Sequence, residues 1–114
     1  KDAARAIFNG IGKIEHGATK ANAEQESRVL MLSENARGDA NPILLIEEDD
    51  VTAGHAASVG RVDPLQIYYL MSRGITRANA ERLIIHGFLE PVVSQLPIEG
   101  VRKQLVEVIE RKVK

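Results

Sequence analysis

Up to about Gly60 the apolar residues come in short runs broken by polar gaps, and their period is that of strands rather than helices. The runs predict strands over Ala6–Ile14, Arg28–Leu32, Ile43–Ile46 and Val51–Ser58. Turn-forming and polar residues separate them: Gly17, the stretch from Lys20 to Gln25, and Asn35 through Pro42. Asn22 to Glu26 has room for a helical turn but not for a covering helix. Most of these links are too short for a βαβ crossover, which takes ~10–12 residues with its helix. The expected sheet is therefore an antiparallel meander or a stack of solenoid rungs, and no obvious internal repeat decides between them.

After Asp63 the period becomes helical. Asp63 is placed as an N-cap with Pro64 in the first helical position. Leu65, Tyr68, Tyr69 and Ser72 form one stripe, and Ile67, Leu70 and Met71 make the other side apolar as well. A short helix apolar all round is expected to be buried or covered by a partner. Gly74 can close it in a left-handed conformation. Thr76 caps the next helix, with Ala80, Leu83, Ile84, Gly87 and Phe88 as its inner stripe and Pro91 kinking or restarting it. Pro97 opens the last helix, where Val101, Leu105, Val108 and Ile109 recur at helical spacing and Arg111-Lys112 suit the C-terminal dipole. The change of period divides the chain into residues 1–62 and 63–114.

Composition narrows the chemistry. Fifteen basic against sixteen acidic residues leave a net charge of -1, so no basic surplus exists to neutralise nucleic-acid phosphates. No apolar run approaches the ~20 residues that cross a bilayer. Cysteine is absent, which removes disulfides, thiolate ligands and cysteine nucleophiles from this chain. Nothing points to export, so the cytoplasm is the expected location. The chain opens on Lys1 with no leader-like segment before its first strand pattern, and is expected to be a piece of a longer protein.

The most informative stretch is Glu47 to Gly60, where four acids give way to small residues around one histidine. In a strand, Val51, Ala53, His55, Ala57 and Val59 share one face, and Thr52, Gly54, Ala56, Ser58 and Gly60 the other. His55 then projects among residues too small to crowd it. It suits a metal ligand or proton carrier, but on the residues alone a core histidine satisfied by one carbonyl is the favoured reading, since buried polar groups usually just find a partner. His16 and His86 are expected at element ends or on the surface, and no histidine pair has metal-site spacing. The acids Glu47 to Asp50 fit a solvated turn better than a cation loop, which interleaves its acids with glycine. Gly10-Ile11-Gly12 lacks the third glycine and the helix of a phosphate loop. Phe88 through Val93 offers apolar side chains to a partner groove or to the molecule's own sheet.

Several segments resemble the C-terminal part of the SufB/SufD family, which builds iron–sulfur clusters. They are Phe8-Asn9-Gly10, Ser33-Glu34, Ala40 through Ile46, Asp49 through Gly60, and Tyr69-Leu70-Met71-Ser72-Arg73-Gly74-Ile75. The resemblance implies the terminal rungs of a right-handed parallel β-helix over residues 1–62, followed by a small helical domain over 63–114. It implies a non-catalytic scaffold that pairs with SufB through the β-helix and docks the ATPase SufC through its helices. Tyr68, Ile84, Phe88 and Leu89 are then the partner-binding candidates. The cluster is transient in the assembled complex, and no cofactor is expected on this chain alone. In the SufB branch a cysteine involved in assembly follows the Phe-Tyr of the short helix; Leu70 stands here. In the SufD branch the counterpart at the interface is a histidine, matched by His55, so the chain resembles that branch. With this implication His55 becomes the candidate metal ligand, shared with the partner subunit.

Two other functions stay open. One is a β-solenoid module of an enzyme acting, for instance, on polysaccharide, although two Phe, two Tyr and no Trp supply poor sugar platforms. The other is a homo-oligomeric module in which an open sheet edge pairs with a second copy.

Overall fold

The structure, a computed structural model, describes residues 2–113. Four strands precede three helices: β1 (Arg5–Ile14), β2 (Asn22–Met31), β3 (Arg37–Ile46), β4 (Thr52–Arg61), α1 (Pro64–Ser72), α2 (Arg77–Val93) and α3 (Glu99–Val113). They form two compact units, one ending at Arg61 and one beginning at Val62.

In the β unit each strand pairs with the next but one. β1 runs parallel to β3 and β2 parallel to β4. Arg5 stands opposite Arg37 and Asn22 opposite Thr52, so both ladders join segments at nearly the same separation along the chain. This parallel pairing removes the antiparallel meander. The corners stack at a similar separation, with Lys20 N–H donating to the Asp50 carbonyl at 2.6 Å and Gly17 N–H to Glu48 Oε2 at 2.8 Å.

Two strands are longer than the hydropathy pattern suggests. Asn22–Ser27 is strand, not a helical turn, and Arg37–Pro42 is strand, not a loop. Neither carries an apolar run; the parallel ladder to the next strand but one holds them, and such pairing is invisible to a local period. Pro42 is tolerated because β3 has a ladder partner on one side only among the described strands. Arg37 N–H donates to the Ala4 carbonyl, just before β1, and Glu47 N–H to the Ile14 carbonyl at its end. Backbone donors alternate between neighbours along a parallel strand, so the nitrogen of Pro42 faces the free edge, where proline removes no bond.

The two ladders face each other across a narrow interior. A Cβ on Gly38 would lie 2.5 Å from Val29 Cγ1, and one on Gly10 would overlap Gln25 Nε2 outright. Gly10, Gly12, Ile14 and Gly38 therefore turn inward from one ladder, and Gln25, Ser27 and Val29 from the other. Ile14 and Ser27 are buried, whereas Ile7, Ile11, Ile43 and Leu45 on the outer face stay exposed. Asn9 and Asn41, register partners on that outer face, are joined by Asn41 Nδ2 donating to Asn9 Oδ1 at 2.9 Å.

The helical unit follows its local signals. Asp63 Oδ1 accepts from Leu65 N–H at 2.9 Å, with Pro64 in the first turn. Gly74, at φ +85°, ends α1; its N–H reaches the Met71 carbonyl and that of Ile75 the Leu70 carbonyl, a Schellman pair. Thr76 Oγ1 accepts from Asn79 N–H at 3.4 Å. α2 continues through Pro91 without restarting. Its burial departs from the single stripe expected: Ala80, Ile85 and Val93 are buried while Leu83 is 53% exposed. The reason is that α2 lies between α1 and α3 and is covered from both sides. α1 buries only Ile67, so the apolar helix is not sealed within its own unit, and α3 buries nothing fully.

Candidate functional site

The small side chains of β4 permit a strand with little cover. All ten of its residues are exposed, and its ladder partner is β2 alone among the described strands. His55 sits near its middle, opposite Gln25. Parallel partners point to the same side of a sheet, so His55 continues the inward column of Ala23, Gln25, Ser27 and Val29 one strand further. Within this chain the residue is exposed rather than set in a core. Thr52 and Lys20 make the backbone bonds at the start of the β2–β4 ladder. By alternation, Ala53, His55, Ala57 and Val59 direct their N–H groups to the free edge. The imidazole and an unpaired row of backbone donors thus occupy one accessible border.

Among the described residues no group of three or more His, Asp or Glu side chains is arranged to hold a metal. One exposed imidazole is a single ligand. Iron held there would take its remaining ligands from outside the chain.

The other histidines behave differently from each other. His16 is at the surface, its side chain 88% exposed, 3.6 Å from Glu48. His86 is neither at an element end nor loose on the surface. It lies inside α2, and its Nε2 donates to Glu110 Oε1 of α3 at 2.6 Å. Arg82 Nη2 donates to the other oxygen of the same carboxylate. The hydrogen bond from His86, aided by the charge of Arg82, holds the Glu110 carboxyl below its ordinary range. The acidic turn also hides a structural group. Gly17 N–H, with the backbone at Asp49 and Asp50, holds Glu48 below the ordinary carboxylate range, and its side chain is 12% exposed. Nothing in the run Glu47 to Asp50 distinguishes that residue beforehand. The clasp on Glu110 had a faint signal: Arg82 and His86 one helical turn apart, with an acid near the end of the following helix.

In the helical unit an open groove of about 520 Å³ separates α1 from α2, with Leu65, Tyr69, Leu70, Leu83 and Ile84 along its walls and Asp63 at its rim. Of the four partner-binding candidates only Ile84 lines it. Tyr68 is 72% exposed outside the groove, and Phe88 and Leu89 are half-buried. No helix among the described residues is long and apolar enough to cross a membrane.

Residues 1–88 match the SufBD core domain of the SUF system for FeS cluster assembly. Over 114 residues, all of this chain and 26% of the relative, the sequence is 83% identical to the iron–sulfur cluster assembly protein SufD of Bacillus subtilis (strain 168). It is 37% identical over 105 residues to SufD of Escherichia coli (strain K12), covering 92% of this chain and 25% of that one. An iron–sulfur cluster assembly SufBD family protein of Mycobacterium leprae (strain TN) is 37% identical over 108 residues, 94% of this chain and 28% of that one. The chain thus spans about a quarter of the length of these relatives.

Proposed function

Because the chain belongs to the SufBD family, on its SufD side, we propose that it is the interface-bearing end of a non-catalytic scaffold subunit for iron–sulfur cluster assembly. The β unit forms the last coils of a right-handed parallel β-helix and pairs with a SufB-type sister subunit along the β4 border. The parallel register, Arg5 on Arg37 and Asn22 on Thr52, supports the coil reading. Recurrence on that scale, within the period of about 20–50 residues that marks repeat architectures, is typical of solenoids. The helical unit docks a SufC-type ATPase, and the open groove at Ile84 supports that assignment.

The observation that carries the reading is His55, an exposed imidazole on an unpaired strand border with no companion ligand in its own chain among the described residues. Cluster iron is the cargo here. A neutral imidazole is a competent iron ligand, and a softer thiolate supplied by the sister subunit would complete the set. The helices take no part in this chemistry: they transmit the ATPase's movement to the scaffold.

The test uses the assembled complex. His55→Ala should lower cluster assembly at least about tenfold while leaving subunit association intact, the scale on which metal sites lose affinity when a supporting group goes. Ile84→Lys should instead weaken ATPase capture. Unchanged assembly in the first variant removes the site, and undiminished capture in the second removes the docking groove.

A further inference from the structure

Among the described residues of the β unit, two side-chain atoms are buried without a hydrogen-bond partner, Gln25 Oε1 and Ser27 Oγ. Leaving a buried acceptor unmatched costs about 1–3 kcal/mol, so each demands a reason. Gln25 has little freedom to find a partner by swinging away. Its Nε2 occupies the space that a Cβ on Gly10 would need, and its Oε1 lies 3.8 Å from the corresponding position on Gly12. The bare Gly10 therefore opens the seat for this carboxamide, while a side chain at Gly12 would crowd Leu44 rather than Gln25. Gly10 admits one polar side chain into an interior that an apolar residue would fill more simply.

The register separates the two orphan atoms. Side chains of parallel partners stand beside each other about 4.8 Å apart on the same face. The partner of Ser27 is Ala57, which has nothing to donate; the partner of Gln25 is His55. Along the column Ala53, His55, Ala57 and Val59, the imidazole is the one polar side chain. A histidine ring that must present one nitrogen to a metal or proton needs a fixed acceptor for the N–H of the other.

We infer that Gln25 is a positioning residue for His55: the two side chains are not bonded in this structure, and a turn of the exposed imidazole brings one ring N–H to the seated carboxamide oxygen, fixes the tautomer and aims the remaining nitrogen at the open border. The chemical consequence rests on the reading of His55 as a site residue, but the pairing itself does not.

Ring ¹⁵N chemical shifts of His55 in the full chain report the pairing directly. One dominant tautomer is expected in the wild type. In Gln25→Met, which keeps the volume and removes the acceptor, the ring should relax to the mixture of a free imidazole, and Gln25→Glu, which retains an acceptor oxygen, should restore a single tautomer. A free-imidazole mixture in the wild type overturns the inference without any variant, as does an unchanged tautomer in Gln25→Met. Assembly by the complex is the separate readout: Gln25→Met should cost about tenfold, the effect typical of a group behind a metal ligand. A tautomer change with unchanged assembly supports the pairing and counts against the site reading of His55 instead.

Discussion

The two units solve the same problem, holding a short segment in shape, by opposite means. The β unit relies on ladder partners on the next strand but one and on inward glycines, and it buries few large side chains. The helical unit relies on neighbours within a few residues: Asp63, Thr76 and Gly74 fix helix ends, and a buried trio of Ala80, Ile85 and Val93 fixes α2. The first is specified by register and the second by caps and apolar volume. A strand border can thus stay open without loss of shape, because the ladder behind it is already satisfied. A helix face gains order only when something covers it.

The comparison breaks most visibly when each unit loses its own kind of support. Ile85→Ala empties a site that is 7% exposed and should cost about 2–4 kcal/mol in the helical unit. The β-unit amides should keep their hydrogen-exchange protection. Gly38→Ala acts the other way. The added methyl meets Val29 at 2.5 Å and should destabilise the β unit by about 1–3 kcal/mol. Pairing it with Val29→Ala should recover part of the loss, and failure to recover would show that Gly38 serves backbone freedom rather than space. Thermal melts, at about 4–8 °C per kcal/mol for units of this size, resolve both.

How much of this was legible in the sequence follows the same division. The helix ends were readable because Asp63, Thr76 and Gly74 act on bonds two to four residues away. The strands over 22–27 and 37–42 were not, because their polar residues, Gly38 and Pro42 read locally as turn or loop while the ladder that overrides them runs to the next strand but one. His55 could be placed on its face by alternation alone. Gln25 could not be joined to it, since that requires the register of β2 on β4. His86 went astray for a related reason: its partner Glu110 lies on the next helix, across a hairpin.

Smaller effects sharpen the contrast. Each unit holds one glutamate below its ordinary value of 4.5, Glu48 through the Gly17 N–H and Glu110 through His86. A lowered carboxyl contributes stability that is complete above its unfolded value and is lost as pH falls through the folded one. Acidification below 4.5 should therefore loosen both units. Glu48→Gln should remove that acid dependence from the β unit alone and Glu110→Gln from the helical unit alone, followed by hydrogen exchange at each pH. Added salt should weaken the Glu110 clasp, whose donors include charged Arg82, more than the Glu48 clamp, whose leading donor is a neutral amide.

Pro42 gives the stack a direction. A strand laid against the outer side of β3 would find a gap in the row of donors at its centre, while the matching side of β4 runs unbroken from Ala53 to Val59. The β4 border therefore offers a further strand a fuller row of donors than the β3 border does, and a single imino acid makes the difference.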